Sequence, residues 1–546
     1  MNRSFRARPG GLVGCLAVAV AIAGCTGGAN HGSRPLAAKP FPRGFHFGAA
    51  MSAHQVEGGN HDTWTLFETL PQFAGRATEP SGAAVDHYHR YAEDFDWARW
   101  MGLDTVRISI EWSRIEPERG RYDAVEIAHY RDVLAAMRAR GLRPSVTLHH
   151  FTDPTWLVDL TKLTPPVNAD FCADGPSNTD QCFWRNPEAA RAFGDYCALA
   201  AREFGPWVDE WWTVNELFGY WLTTSVTGTF PPLLTAFNDA DRAAIALPVL
   251  RGLMDAHAAC YRAIHAEDTV DADRDGIRAR VGLTAGIGPI FPAVPDRPED
   301  VGAAALSETV GNFLVLDAAA TGAFDADFDG VADEDHPEWT GTLDLIGVQY
   351  YSSSTMIGIQ LVPPLAGIPC LNIDFDLGEP DASAALTNLY VNLMLALGCP
   401  EAPTQDFPFG PEPPGRLYGR QSDPEGLLNS LVKVAARYPG TPLVVTENGF
   451  ADDDEKRASS LVRHLVAVHD AIARGVPVEG YYHWSLLDNF EWLDGFRVRF
   501  GLLHVDYDQD LARSPTVAAE VYREITRAHG LLQRHLDERG GPGPLP

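Results

Sequence analysis

Short apolar runs alternate with amphipathic stretches from about residue 41 to residue 529. The runs are rich in β-branched and aromatic residues, which predicts buried strands, and the stretches between them show the apolar spacing of helices. Several of these helical stretches end in glycine, as helix C-caps do. The eight runs read FHFGAA, TVRISI, PSVTLHH, DEWWTVNE, RVGLTAGI, LDLIGVQYY, PLVVTENG and VEGYYHWS.

Strand followed by helix, repeated eight times, predicts an α/β fold, a (β/α)8 TIM barrel with insertions in the loops at its C-terminal face. An open, doubly wound sheet is the alternative, but no GxGxxG or P-loop motif follows any run. Residues 161–185 and roughly 357–421 break the alternation, and we interpret both as insertions beside the barrel mouth. We expect one domain over residues 41–535 and a disordered tail over residues 536–546.

The first 25 residues have the pattern of an export signal. Arg3, Arg6 and Arg8 precede an apolar run that is too short to span a bilayer as a mature helix. The run ends in IAGCT, which resembles a bacterial lipobox and implies that Cys25 is lipidated; an ordinary signal-peptidase site is the alternative. Residues 26–40 then predict a flexible tether. We expect a cell-envelope lipoprotein that meets the membrane only through its lipid, or otherwise a secreted protein.

Composition excludes some classes of function. A formal net charge of -30 argues against nucleic-acid binding, which needs clustered Lys and Arg. Export permits disulfides, and no CxxC or Cys/His metal spacing occurs. We interpret Cys197 and Cys260 as buried, inert thiols. The predicted local disulfides join Cys172 to Cys182 and Cys370 to Cys399.

Two acids stand at predicted strand ends. Glu216 ends the fourth run and Glu447 lies at the end of the seventh. In a barrel the carboxyl ends of the strands carry the chemistry, and strands four and seven face one another across the mouth. Glycoside hydrolysis needs such a pair, because one carboxyl group protonates the leaving oxygen while the other attacks or activates water.

The motifs around these acids resemble glycoside hydrolase family 1, the β-glucosidase family, over nearly all of the mature chain. FHFGAAMSAHQVEG, VRISIEWSRIEP, WWTVNE, VVTENG and GYYHWSLLDNFEW with RFGL resemble the motifs of that family and occur in its order. The resemblance implies an exo-acting, retaining β-glycosidase that needs no cofactor and no metal. Its partner would be a small-molecule or oligosaccharide β-D-glycoside.

The resemblance also assigns roles to residues. Glu447 would be the nucleophile and Glu216 the general acid/base, with carboxyl groups about 5 to 5.5 Å apart. The charge of Glu447 would raise the pKa of Glu216 and keep it protonated. Arg107 would hold Glu447 ionised and Tyr351 would donate to it. Residues expected to grip sugar hydroxyls or to form an apolar platform under the ring are Gln55, His150, Asn215, Glu491, Trp492, Trp484 and Phe500.

Some positions depart from the family pattern or bear on the substrate. Leu217 stands where a proline commonly follows NE, Phe151 replaces a common tryptophan, and Gln349 replaces the asparagine before YY. The longer Gln349 leaves the preference between glucose and galactose open. An anionic Glu491 would repel a phosphate, so the sugar is expected to be unphosphorylated.

Other interpretations remain open at this point. The segments DADRDG at 271–276 and DADFDGVADED at 325–335 resemble calcium loops but lack the twelfth-position Glu, so solvated turns are the alternative. A surface-anchored carbohydrate-binding protein on a retired barrel is one rival function. A metal-dependent barrel hydrolase is another, but His149 and His150 alternate across their strand, so only one can face the mouth.

Overall fold

Eight parallel strands close into a barrel in the computed structural model, which describes residues 36–77, 79–163, 182–359, 367–370, 396–397, 399, 422–451 and 453–541. Each strand falls within or next to one predicted run, so the barrel prediction is confirmed and the open-sheet alternative is wrong. The strands are β1 (His46–Ala50), β2 (Thr105–Ser109), β3 (Arg143–His149), β4 (Glu210–Val214), β5 (Arg280–Gly286), β6 (Leu345–Gln349), β7 (Leu443–Asn448) and β8 (Val478–Trp484).

A helix follows each strand. Local sequence fixes several of their starts: Asn186 accepts a hydrogen bond from the backbone of Glu188, and Pro187 fits the first turn, so a helix begins there. The helices are α1 (His87–Trp100), α2 (Ala124–Ala139), α3 (Pro187–Phe204), α4 (Leu247–Glu267), α5 (Leu314–Thr321), α6 (Pro424–Arg437), α7 (Asp454–Ala473) and α8 (Val517–Ala528).

Shorter elements lie mostly in the connections that leave the carboxyl ends of the strands. The helical ones include Ala53–Val56, Thr63–Thr69, Trp112–Ile115, Leu217–Ser225 and Pro298–Glu308. A three-stranded sheet is formed by Ile290–Pro292, Ser354–Gly358 and Gly367–Pro369, and a hairpin by Leu503–Asp506 and Ala512–Pro515. Both predicted insertions leave from this same face, after β3 and β6, and most of each lies outside the described residues.

Polar side chains fill the barrel below the mouth. The buried carboxylate of Glu210 accepts hydrogen bonds from Ser145 Oγ at 2.7 Å and from the Tyr482 hydroxyl at 2.9 Å. The indole of Trp212 donates to the same Ser145 oxygen at 2.8 Å. Each of these groups is paired, so hydrogen bonds offset the cost of burying them and the layer below the mouth is packed.

The disulfides differ in part from the prediction. Cys197 and Cys260 are bonded to one another and join the packed helices α3 and α4, so the prediction of inert thiols is wrong. Their separation of 63 residues hid the pairing, because only the packing of the two helices brings them together. The predicted pair Cys370–Cys399 is confirmed. Cys182 is disulfide-bonded, and its predicted partner Cys172 lies outside the described residues.

The two ends of the barrel domain are more ordered than predicted. Lys39–Pro40, assigned to the tether, pairs antiparallel with Gly530–Leu531. The helix Gln533–Arg539 occupies the start of the predicted disordered tail, so that prediction is wrong for residues 536–539. This helix is held because His535 is buried and hydrogen-bonds Glu524 at 2.8 Å. Residues 1–35, with Cys25, and residues 542–546 lie outside the described residues.

Candidate active site

The carboxyl ends of β4 and β7 deliver the two predicted catalytic acids. Glu447 is the second-last residue of β7 and is 5% exposed. Glu216 caps the helix Leu217–Ser225 with a left-handed backbone (φ 42°, ψ 55°), which turns the chain sharply after β4. On the shorter path around the barrel two strands, β5 and β6, lie between β4 and β7, so the ends of β4 and β7 face one another across the mouth.

Two side chains bridge the ends of β4 and β7. Arg107, on β2, donates from Nη1 to Glu447 Oε1 and from Nη2 to Asn215 Oδ1 at 2.6 Å. The Nε2 of Gln349, at the end of β6, lies 2.7 Å from each of the same two oxygens. The distance between Asn215 Oδ1 and Glu447 Oε1 is therefore at most twice 2.7 Å. Glu216 follows Asn215 directly, and its carboxyl group is close enough to Glu447 for the charge of Glu447 to shift its pKa upward.

Further contacts fix the pair from the sides. Tyr351 donates its hydroxyl to Glu447 Oε2 at 2.8 Å, as the sequence predicted. Thr284, on β5, donates to Asn215 Oδ1 at 3.0 Å and accepts from the backbone N–H of Glu216 at 3.1 Å. Sequence analysis missed Thr284, because nothing in its run marks it except a position near the strand end. Its hydroxyl links the side chain of Asn215 to the backbone of Glu216.

Glycines make room for the carboxyl group of Glu216. A β-carbon on Gly286 would lie 3.1 Å from Glu216 Oε1, and one on Gly219 would lie 3.3 Å from Oε2. Both distances are tighter than ordinary carbon–oxygen packing. Larger residues at either position would therefore push the carboxyl group away from where it stands.

Burial and mutual charge set the protonation of the pair. Burial raises the pKa of Glu216 to about 8, with a further contribution from the charge of Glu447. Burial also raises the pKa of Glu447 above its usual value, although the Arg107 guanidinium and the Tyr351 hydroxyl oppose that rise. Because these donors face Glu447, the first carboxyl group to ionise is Glu447 and the one that keeps its proton is Glu216.

A second group of predicted residues lines another wall. Gln55, from the segment after β1, donates to the Phe490 carbonyl at 2.8 Å and to Glu491 Oε2 at 3.3 Å. The indole N–H of Trp484 donates to Glu491 Oε1 at 3.1 Å. Burial raises the pKa of Glu491 well above its usual value, so its carboxyl group is less acidic than the sequence alone suggests.

Aromatic rings complete this wall. The imidazole of His150 stacks on Trp484, with ring centres 5.9 Å apart, and on Trp492 at 6.2 Å. Burial holds the pKa of His150 well below its usual value, so the ring is neutral. Its neighbour His149 points elsewhere, with Nε2 3.1 Å from Asp153, which agrees with the predicted alternation. Phe500 is buried against Tyr351 at 5.9 Å.

The residues that depart from the family pattern have different surroundings. Leu217 is fully buried behind Glu216, in the first turn of its helix. Phe151 has a positive φ of 66° and packs on Trp492, with ring centres 5.5 Å apart, so it belongs to the aromatic wall. Gln349 alone among the three contacts the candidate nucleophile.

Acidic groups close enough to hold a metal lie elsewhere. In the part of the chain that the structure describes, they are Asp209 with Asp271 and Asp273, and Asp325 with Asp327 and Asp329. Both groups sit in helix-to-strand connections, at the face of the barrel opposite the mouth. Neither includes a residue of the site, which gives no support to the metal-dependent alternative.

Comparison with known proteins identifies the family. The profile of "Glycosyl hydrolase family 1" matches residues 37–164 and 176–531. The chain belongs to glycosyl hydrolase family 1. It is therefore a glycoside hydrolase, as its motifs predicted, which disfavours the carbohydrate-binding alternative.

Relatives of this family 1 member match over nearly their whole length. A beta-galactosidase of Pyrococcus woesei is 30% identical, over 91% of this chain and 99% of the relative. Beta-glucosidase 47 of Arabidopsis thaliana is 27% identical, over 90% of this chain and 86% of the relative. The structure of a beta-glycosidase from Pyrococcus horikoshii is similar with a TM-score of 0.72 at 29% identity, covering 93% of this chain and 99% of that one.

Proposed function

We propose that this glycosidase hydrolyses unphosphorylated β-D-glycosides from the non-reducing end, with retention of configuration, through a covalent glycosyl ester on Glu447. The observation that carries the proposal is the double bridge from Asn215 Oδ1 to Glu447 Oε1 through Arg107 and Gln349. Glu216 follows Asn215 in the chain and feels the charge of Glu447, which supports a site where both acids act on one anomeric centre. We expect the two carboxyl groups to stand about 5 to 5.5 Å apart, which leaves no space for a water between nucleophile and sugar and favours double displacement.

In the first half-reaction, Glu447 attacks the anomeric carbon while Glu216 protonates the departing oxygen. A pKa of about 8 keeps Glu216 protonated at neutral pH, which general acid catalysis requires. Arg107, Gln349 and Tyr351 stabilise the ionised form of Glu447 before attack. The bond from Glu447 to the anomeric carbon forms as the glycosidic bond breaks.

In the second half-reaction, Glu216 works in the opposite direction. Esterification removes the charge of Glu447, which is one of the causes of the raised pKa of Glu216. Glu216 then loses its proton more readily and can take a proton from water as that water attacks the ester. The free sugar leaves with the configuration of the substrate, and both carboxyl groups return to their starting protonation.

The glycone side of the site supports an unphosphorylated sugar. Glu491, Gln55 and Trp484 form one hydrogen-bonded wall that offers polar groups to sugar hydroxyls. A phosphate against the carboxyl group of Glu491 would add charge to a site that already holds Glu447. We expect 4-nitrophenyl β-D-glycosides to be hydrolysed and their 6-phosphates to be rejected.

Proton NMR of the first-formed sugar tests the proposal directly. A 4-nitrophenyl β-D-glycoside should release the β-anomer first, followed by slow mutarotation. Release of the α-anomer first would show inversion and overturn the double-displacement mechanism. Hydrolysis of the 6-phosphate at a rate similar to that of the parent would overturn the substrate assignment.

Localisation is a second proposal, supported by the sequence of residues 1–25. We propose that Cys25 is lipidated and anchors the enzyme in the cell envelope. Expression of the full chain in an exporting bacterium fed radiolabelled palmitate should label the wild type and not Cys25→Ser. A wild type without lipid label would overturn the anchor.

A further inference from the structure

The side-chain amide of Gln349 has one orientation that its neighbours allow. Its Nε2 faces both Asn215 Oδ1 and Glu447 Oε1 at 2.7 Å. Arg107, which can only donate, contacts both of these oxygens, so both are acceptors. The atom of Gln349 that faces them must be the amide nitrogen. The remaining atom, Oε1, is an acceptor.

That acceptor is buried and has no partner. Gln349 is 1% exposed, and its Oε1 receives no hydrogen bond from any residue that the structure describes. Buried acceptors are rarely left unpaired, and each one that is calls for an explanation such as a catalytic role or a bound water or ion. Asn215 stands beside it with its own oxygen already accepting from Arg107, Gln349 and Thr284. The amide nitrogen is the group that Asn215 has left to offer.

We propose that Gln349 is a specificity-determining residue, whose Oε1 accepts a hydrogen bond from the 2-hydroxyl of the substrate sugar. The proposal rests on the proposed function, because it takes Glu447 as the nucleophile. Gln349 would then hold the nucleophile through Nε2 and read the sugar through Oε1. The same amide group would thus link the position of Glu447 to the binding of the sugar.

The chemistry of the anomeric centre selects the 2-hydroxyl. When Glu447 attacks the anomeric carbon, the substrate groups bonded next to that centre are the ring oxygen, the glycosidic oxygen and the 2-hydroxyl on the adjacent carbon. Of these, only the 2-hydroxyl carries a proton for Gln349 Oε1. The same hydroxyl can accept a hydrogen bond from the side-chain amide of Asn215. The 2-hydroxyl would then donate to Gln349 and accept from Asn215. Hydrogen bonds to this hydroxyl strengthen in the transition state of retaining glycosidases.

A comparison of two substrates tests this role. We would measure kcat/KM for the best-hydrolysed 4-nitrophenyl β-D-glycoside and for its 2-deoxy analogue, in the wild type and in Gln349→Met. Methionine keeps the length of the side chain but has neither the amide donor nor its acceptor. The variant should lose about 10- to 100-fold more on the parent than on the 2-deoxy substrate. Equal losses on both substrates would overturn the proposal.

Tyr351→Phe is the matched control. It removes a donor at 2.8 Å from the other oxygen of Glu447 and leaves Gln349 in place. The control should lose the same factor on both substrates, because it weakens only the nucleophile. Losses for Tyr351→Phe that depend on the substrate as strongly as those for Gln349→Met would also overturn the proposal.

Active-site counting separates the possible failures. Rates are expressed per site trapped by a 2-deoxy-2-fluoro glycoside, so a poorly folded variant does not register as a kinetic loss. Failure of the wild type to be trapped, with no covalent sugar, would overturn the proposed function itself. A trapped wild type together with equal losses for Gln349→Met would overturn only the role of Gln349.

Discussion

Glu216 faces the bare α-carbon of Gly286, where an added β-carbon would lie 3.1 Å from Oε1 of the carboxyl group. The position of the Glu216 carboxyl group therefore depends in part on the lack of a side chain at Gly286, on β5. Gly286→Ala should move Glu216 by a few tenths of an ångström, and small displacements of a proton donor are costly.

The expected result for Gly286→Ala is a loss of about 10-fold in kcat/KM on alkyl or phenyl glycosides, which need the acid. Dinitrophenyl glycosides, which need little protonation, should be hydrolysed almost as fast as by the wild type. Gly302→Ala, where an added β-carbon meets nothing within 4 Å, is the control. A uniform loss on both classes of leaving group would contradict this position for Glu216.

Replacement of the two acids should give different signatures. Glu447→Ala should lose more than about 1000-fold in kcat on every leaving group, and added azide should restore turnover with inversion. Glu216→Ala should retain turnover on dinitrophenyl glycosides, and azide should give a β-glycosyl azide. Steady-state kinetics and NMR of the azide products distinguish these outcomes. Unimpaired activity in either variant would contradict its assignment.

The pH dependence of kcat/KM should follow the two carboxyl groups. Glu216 must hold its proton, so activity should fall as the pH rises through about 8. Glu447 must be ionised, so activity should also fall at low pH, with a midpoint above the usual value for a glutamate. With a dinitrophenyl substrate, Glu216→Gln should show no loss above pH 8. If kcat/KM of that variant still fell above pH 8, the fall would belong to a group other than Glu216.

The buried disulfide between α3 and α4 should stabilise the barrel. The Cys197→Ala/Cys260→Ala double variant should lose about 4 kcal/mol in the free energy of unfolding, because the bond closes a loop of 63 residues. Urea denaturation measures this loss. The Cys370–Cys399 bond closes a loop of only 29 residues, so the Cys370→Ala/Cys399→Ala double variant should lose less free energy of unfolding. Equal stability of the wild type and the first variant would contradict the bond between α3 and α4.

Local pattern was enough to predict the barrel, since each strand such as β7 is a compact apolar run with its own turn signals. Strand order predicted that Glu216 and Glu447 meet, because β4 and β7 end at the same face and stand across the barrel mouth from one another. Contacts that depend on packing between distant segments were not visible in the sequence. The Cys197–Cys260 bond and the seating of His535 against Glu524 are of this kind.

The site was predictable at the level of motifs and less so at the level of atoms. Arg107 and Tyr351 contact Glu447 as expected. Gln349 was visible only as a departure from the family pattern, and its bridge to Asn215 requires the side chain to reach past β5 to the end of β4. Thr284 carried no signal, because a threonine in an apolar strand is ordinary.

Covalent labelling tests the central claim most directly. Wild-type enzyme incubated with 2,4-dinitrophenyl 2-deoxy-2-fluoro-β-D-glucoside, or with the corresponding galactoside, should gain the mass of one fluorosugar and lose activity. Peptide mass spectrometry should place that sugar on Glu447, and Glu447→Gln should remain unlabelled. Turnover of ordinary glycosides without any labelled peptide, or a label on a different carboxylate, would contradict the assignment of Glu447 as nucleophile.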